Sequence, residues 1–317
     1  MVKKRIGILR GGAGKHYEKS LKKGGEVISF IYKHLSLQYK TVDILVDKNN
    51  IWHIAGLPIK PEDLMNKVDL IWNASHPNFC QTLKNLPIPN IRIDASAFVE
   101  NNHSILREQI KKLGVEMPKH IVLPVYQKDI DGRVETYANK KARMILEKFP
   151  APWIVRPFNP DKNIAIHVVK TFPDLVKEIR DGVSHEESIL IEELIPGKIA
   201  ETHSLNNFRD ENIYVMPPVE NRDGKIISPG NFKMKEKEEL ILLARKIHQY
   251  LNVSYYTKLD FIINKKGIFL TNLEFLPDLE KGSSFTESCE SVGTKAHKVI
   301  EHIIELTLSN GTAYPKN

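Results

Sequence analysis

Cysteine is nearly absent: the 317 residues contain two, Cys80 and Cys289. They lie far apart, in no CxxC or metal-type spacing. That excludes a disulfide framework and a thiolate metal centre and points to a reducing compartment. Long apolar runs are missing as well. No stretch approaches the ~18 residues that a membrane helix needs, so no membrane partner is expected. The opening residues, Met1 to Arg5, pass straight into a strand-like stretch without an apolar leader, and a cytoplasmic protein is expected. There is no internal repeat and no low-complexity tract. Charge of one sign is not segregated either. Net charge is +7, from 46 Lys and Arg against 39 Asp and Glu, with both signs scattered along the chain. The basic balance suits anionic small molecules, and without a dedicated basic arm no nucleic-acid partner is expected.

What is present suffices for two or three packed units. Arg5 to Leu9 is a buried-type strand that runs into Arg10-Gly11-Gly12-Ala13-Gly14 and a helix from about Ser20 to Leu35. Strand, glycine turn and helix open a parallel α/β unit. Val42–Val46, Val68–Trp72 and Ile91–Ile93 continue it. A helix at Asn102–Leu113, with Asn102 as a candidate cap, precedes a smaller α+β unit. That unit has strands at Ile121–Leu123, Trp153–Arg156 and Ile164–Val169 and helices at 135–148 and from Thr171 to Gly182. Antiparallel strands follow at Ser188–Glu193, Ala200–Leu205 and Asn212–Met216. Then come a polar loop from Glu220 to Asn231, a helix from Glu236 to Leu251, a hairpin, and one long closing helix from Ser291 to Leu308.

The hairpin is the most informative stretch. Lys258–Ile263 and Ile268–Phe275 both alternate apolar and polar residues around Asn264-Lys265-Lys266-Gly267, the pattern of an antiparallel pair. Period-two alternation puts Lys258 and Asp260 on one face of the first strand, and Asn272 and Glu274 on one face of the second. Two facing carboxylates beside a cation suit Mg²⁺, which takes oxygen ligands and commonly only one or two from protein. Taken alone, the spacing favours the plainer reading, an Asp and a Glu on a solvated sheet face.

Seven stretches stand in order along the chain: the glycine turn with Glu18–Val27, Trp72-Asn73-Ala74-Ser75-His76, Gly114–Pro118, Pro152–Pro157 (PWIVRP), Leu190–Gly197 (LIEELIPG), Lys258–Phe261 (KLDF) and Leu273-Glu274. In that order they resemble the motifs of the ATP-grasp superfamily and, within it, the D-alanine–D-alanine ligase family. The resemblance runs from Lys4 to about Leu308. It implies an ATP-grasp fold, α/β and α+β. A Rossmann-like pre-ATP-grasp domain would span 1–101, a small central α+β subdomain 102–187 and a C-terminal antiparallel-sheet subdomain 188–317. The implied cofactors are ATP and Mg²⁺ (or Mn²⁺), the partners small amino-acid-like substrates, and the assembly can be a homodimer. The implied chemistry is an acyl phosphate made from ATP and attacked by an amine, with charge stabilised by positioned groups.

Carried over residue by residue, the resemblance makes Asp260 and Glu274 the metal carboxylates. A third ligand, an Asn in the family, falls on Leu276, with Asp278 as a substitute. Lys258 stands where the family has an Arg that polarises the intermediate; it keeps the charge without the planar fork. Arg156 and His103 fall on nucleotide-contacting Lys positions, and Lys162 lies in a phosphate loop that lacks the family's small residues. Glu192, Glu193, Leu194 and Ile195 form the adenine hinge, Glu201 is the ribose-binding candidate, and Ser283 and Ser284 face the second substrate. His16 replaces the Glu that holds the first substrate's amino group, and His76 is what remains of a second loop. Lys15, His16 and Arg10 together suit an acidic or phosphorylated substrate. The lid between Pro217-Pro218-Val219-Glu220 and the next helix is shortened. The expected function is therefore a ligase with an altered substrate. The alternative is a degenerate ATP-grasp protein that binds nucleotide or a partner without turnover.

Overall fold

A computed structural model describes residues 2–14, 17–75, 79–91, 103–157, 167–183 and 188–311, with the side chains of 103–106, 157, 310 and 311 outside the description. The chain divides into two compact units, Met1–Leu113 with Lys198–Phe261 and Asn272–Asn317, and Gly114–Gly197 with Ile262–Thr271.

The larger unit opens on a parallel sheet. Strands β1 (Lys4–Gly11), β2 (Tyr39–Val46), β3 (Trp52–Ile54), β4 (Leu57–Ile59), β5 (Leu70–Asn73) and β6 (Asn90–Ile91) lie in the order β4-β3-β2-β1-β5-β6. β1 runs parallel to β2 and β5, and β3 and β4 add an antiparallel hairpin at one edge. The helix Tyr17–Leu35 follows β1. Its Gly24 is needed because a Cβ there would meet the Arg10 side chain at 2.6 Å. Gly11 has φ +89°, and a Cβ on it would stand 2.1 Å from the Val46 carbonyl, so the turn after β1 requires glycine. Ser20 Oγ accepts from the Gly11 N–H at 2.8 Å and donates to the Ala74 carbonyl at 2.9 Å, tying the glycine turn to the end of β5.

The smaller unit has β7 (His120–Leu123), β8 (Trp153–Pro157), β9 (His167–Val169) and β10 (Ile189–Glu193) in the order β7-β10-β8-β9. Helices Val134–Lys148 and Phe172–Val183 bury Ala138, Ala142, Ile145, Leu175 and Ile179 against Trp153, Val155 and Ile191. The expected turn at 159–163 and the first part of the expected strand at Ile164 lie outside the described residues, as does the candidate cap Asn102.

A second sheet lies mostly in the larger unit, with the 262–271 ends of its last two strands counted to the smaller one. It contains β11 (Lys198–Phe208), β12 (Glu211–Val215), β13 (Val219–Arg222), β14 (Lys225–Ile227), β15 (Tyr256–Asn264) and β16 (Gly267–Glu274) in the order β14-β13-β11-β15-β16, with β12 also on β11. Leu205, Met216, Tyr256 and Phe285 share one buried cluster with Ile6, Ile8, Leu70 and Trp72. Two expectations are corrected here. The stretch 220–231 is not a plain polar loop: β13 and β14 form a hairpin whose Asp223-Gly224 turn has φ of 52° and 82°, the backbone that Asp-Gly supplies. The closing helix runs from Ala296 to Gly311, starting later than expected, and a separate helix not expected from sequence, Ser284–Ser291, precedes it across a turn at Gly293 with φ 67°. Helix Met234–Tyr250 packs on the sheet.

One buried group on that sheet yields a pH prediction. His248 is fully enclosed, its Nδ1 2.8 Å from Ser204 Oγ and 3.0 Å from Thr257 Oγ1, and its Nε2 3.0 Å from Asn206 Oδ1. Burial pushes its pKa down to about 4, so it is neutral in the fold. The unfolded chain takes up the proton first as pH falls. The stability due to neutral His248 is therefore present above the unfolded value of about 6.5 and is lost between there and about 4, on the order of 3 kcal/mol in full. Urea unfolding at pH 7.5 and 4.5 should show a smaller acid loss in His248→Gln than in the parent; equal losses would contradict this.

Candidate active site

The site-bearing face of the second sheet follows from strand alternation. Along β15, Leu259, Phe261 and Ile263 are buried, and Lys258 and Asp260 turn to the other side. On the adjacent β11, Glu201 and His203 share that side, and on β16 so do Asn272 and Glu274. Lys258 is the centre. Its Nζ lies 3.0 Å from Glu201 Oε2, 3.2 Å from Asp260 Oδ1 and 4.0 Å from Glu274 Oε1. Asn272 Nδ2 donates to Asp260 Oδ2 at 3.0 Å and to Glu274 Oε1 at 3.2 Å. The sequence expectation that the two hairpin carboxylates and Lys258 come together is thus met in space.

The electrostatics are unusual. One ammonium among three carboxylates leaves two formal negative charges over; Lys258, Glu201 and Asp260 are largely enclosed, and Glu274 is open to solvent. Burial, with the neighbouring Glu201 and Glu274 charges, pushes Asp260 up to about 6 even though Lys258 opposes the shift. Burial also acts to raise Glu201, but Lys258 and hydrogen bonds from Ser284 and Asn221 outweigh it and hold that carboxyl below its usual range. Burial acts to lower Lys258, yet the three carboxylates prevail and the ammonium is retained well above its ordinary value.

The other expected residues fall as follows. Ser283 is the N-cap of helix Ser284–Ser291: its Oγ donates to the Asp278 carbonyl at 2.7 Å and accepts from the Thr286 N–H at 3.3 Å. Ser284 is buried and bonds Glu201. Leu276 packs against the large apolar cluster. Asp278 Oδ1 accepts from the Glu280 N–H at 3.1 Å, closing a turn. Arg10 is engaged by Asp43 at 2.7 and 2.6 Å, because β1 and β2 run side by side in parallel. Its charge is therefore matched by Asp43. Lys15, His16, His76 and Lys162 lie outside the described residues; His103 opens the helix His103–Lys112, and its side chain is not described.

In the smaller unit, Arg156 and Glu192 project from neighbouring strands and meet at 3.2 Å (Nε) and 3.0 Å (Nη2), both largely buried. The chain then leaves β10 through Glu193, Leu194 and Ile195. The N–H groups of Glu193 and Leu194 are committed to the Lys119 and Pro152 carbonyls at 2.8 and 3.0 Å, and Ile195 is buried. Gly197 lets this segment pass β15, since a Cβ would meet the Ile263 carbonyl at 2.4 Å.

Two members of the larger unit's site face, His203 and Tyr256, were missed from sequence. His203 Nδ1 lies 2.7 Å from Tyr256 Oη, with Phe285 edge-on to both rings. Asn272 was placed on the face but not as the bridge. Extending the alternation of β11 back from Leu205 and of β15 back from Lys258 would have put His203 and Tyr256 beside Glu201 and Lys258.

Residues 110–305 match the family model described as D-ala D-ala ligase C-terminus. A D-alanine–D-alanine ligase B of Clostridium tetani is 23% identical over 192 residues, a match that spans 55% of this chain and 53%, about half, of that protein. A D-alanine–D-alanine ligase of Clostridium botulinum is 22% identical over 320 residues, 96% of this chain and 98% of that one. The crystal structure of the Bacillus anthracis D-alanine–D-alanine ligase complexed with ATP superposes with TM-score 0.72 at 19% identity, covering 98% and 99% of the two chains. On the family match and this fold, the chain belongs to the D-alanine–D-alanine ligase family of ATP-grasp ligases.

Proposed function

We propose that this chain joins the carboxyl group of one D-amino acid to the amine of another at the expense of ATP. The observation that carries the reading is the cluster of Lys258, Glu201, Asp260 and Glu274, with its two surplus negative charges. The family match supplies the reaction class.

The donor set suits a hard divalent cation, because Asp260, Glu274 and Asn272 offer carboxylate and amide groups from one sheet face and the cluster lacks two positive charges. Asp260 and Glu274 are the proposed holders of Mg²⁺. When bound, the ion would offset triphosphate charge and favour attack on the terminal phosphorus. In the smaller unit, the backbone from Glu193 to Ile195 is the proposed adenine contact. Arg156, oriented by the Glu192 carboxylate, is the proposed phosphate contact. His103 and Lys162 stay in the proposal as further nucleotide contacts, and His16 as a contact to the first substrate.

A carboxylate oxygen of the first substrate attacks the γ-phosphorus, and the bond from that phosphorus to the β–γ bridging oxygen breaks to release ADP. The amine of the second substrate then attacks the acyl carbon. Phosphate leaves with the electrons of the carbon–oxygen bond, and the amine proton passes to solvent. Lys258 places fixed positive charge where the tetrahedral oxygen develops its negative charge. Glu201 and Ser284 hold that ammonium in position, and Ser283 acts through its helix cap. The proposed setting is the cytoplasm, supported by two buried cysteines that form no disulfide.

ADP release screened over D-amino acids, hydroxy acids and short peptides tests this. Turnover that requires ATP and Mg²⁺ together is expected. Silence across the panel, with the fold intact, would overturn the proposal in favour of nucleotide binding without turnover.

A further inference from the structure

The resemblance puts a third metal ligand two positions after the glutamate, where this chain has Leu276, a partly buried side chain packed against the apolar cluster. Asp278 is taken up by its own turn. An amide nevertheless stands at the carboxylates, two positions before Glu274 rather than two after. Strand alternation puts residues 272 and 274 on one face of β16, and the strand ends at Glu274, so position 276 lies beyond it. The Asn272 head lies 3.0 Å from Asp260 and 3.2 Å from Glu274, bridging both. We propose that Asn272, inside the strand, is the third protein ligand of the divalent cation in this chain, in place of the position after the strand that is now given to packing. The inference rests on the proposed function above.

The chemistry favours it. An amide has a donor end and an acceptor end at almost the same place, and rotation about its last torsion exchanges them. Its donor end faces the two carboxylates in the structure, which is the arrangement expected between anions. A cation between those anions would draw the oxygen instead. Mg²⁺ and Mn²⁺ both accept amide oxygen beside carboxylates.

The test is Mn²⁺ binding to the full chain in the presence of a non-hydrolysable ATP analogue, read by electron paramagnetic resonance of free Mn²⁺. Asn272→Ala should weaken Mn²⁺ binding by at least about 10-fold, the lower bound for altering a metal's immediate support. Asn272→Asp should retain it, since that variant keeps an oxygen at the site but loses the donor. Melting without metal checks that each variant folds. If Asn272→Ala does not fold, Asn272→Asp carries the test: retained Mn²⁺ supports the ligand role, and lost Mn²⁺ overturns it. Unchanged affinity in Asn272→Ala alongside loss in Asp260→Asn would overturn the role of Asn272 and leave the ligase reading standing. Absence of Mn²⁺ binding by the parent would overturn both.

Discussion

Lys258→Ala is expected to destabilise the larger unit by roughly 3–5 kcal/mol, the range for removing one partner of a buried ionic cluster. The reason is the arithmetic of the site. Three carboxylates share one ammonium, and without it three negative charges face one another on a single sheet face. Glu201 suffers most, since its buried carboxyl is held charged chiefly by Lys258. Calorimetry or urea unfolding reads the loss. Lys258→Arg should recover most of it, because the charge is kept and the planar fork suits two carboxylates at once. Ligase turnover in Lys258→Ala should fall by about 10²–10³-fold, the effect of deleting one group that stabilises a developing oxyanion. A melting point for Lys258→Ala equal to the parent's would contradict this account of the cluster.

Asp260→Asn should separate stability from function. The substitution conserves shape and cuts the surplus negative charge of the cluster from two to one. It also removes a carboxylate whose burial already strains ionisation, as its displacement to about 6 shows. The variant is therefore expected to fold as well as the parent or better. Turnover should collapse nonetheless, by more than the ~10–100-fold of an outer-sphere change, because the group removed is a proposed direct ligand. Measured side by side, melting and ADP release give opposite signs. A variant that is both stable and active would remove Asp260 from the metal site.

The contrast between the two variants shows what the sequence made legible. Alternation along β15 and β16 sufficed to bring Asp260, Glu274 and Lys258 to one face, because period-two geometry is local. The strand–glycine–helix opening was equally readable, since only glycine fits at Gly11 beside the Val46 carbonyl. The pairing of Lys258 with Glu201 was not. It depends on which strands become neighbours in the sheet and in what register, and those two residues are 57 positions apart. For the same reason Asn272 read as a face residue and not as a bridge. The Asp223-Gly224 hairpin was a different miss: its turn signal was present, but the flanking strands are too short to show alternation. The cap made by Ser283 was not legible either, since its hydroxyl meets the Asp278 carbonyl and the Thr286 N–H only once the helix is in place.

The central claim is that the cluster on β11, β15 and β16 supports ligation. The direct measurement is turnover of the full chain with ATP, Mg²⁺ and paired D-amino acids, with ADP and product mass followed together. The account predicts one ADP for each product whose mass is the sum of the two substrates less one water, with both signals lost in Asp260→Asn. ADP formed without a joined product, or joined product formed equally by Asp260→Asn, would contradict it.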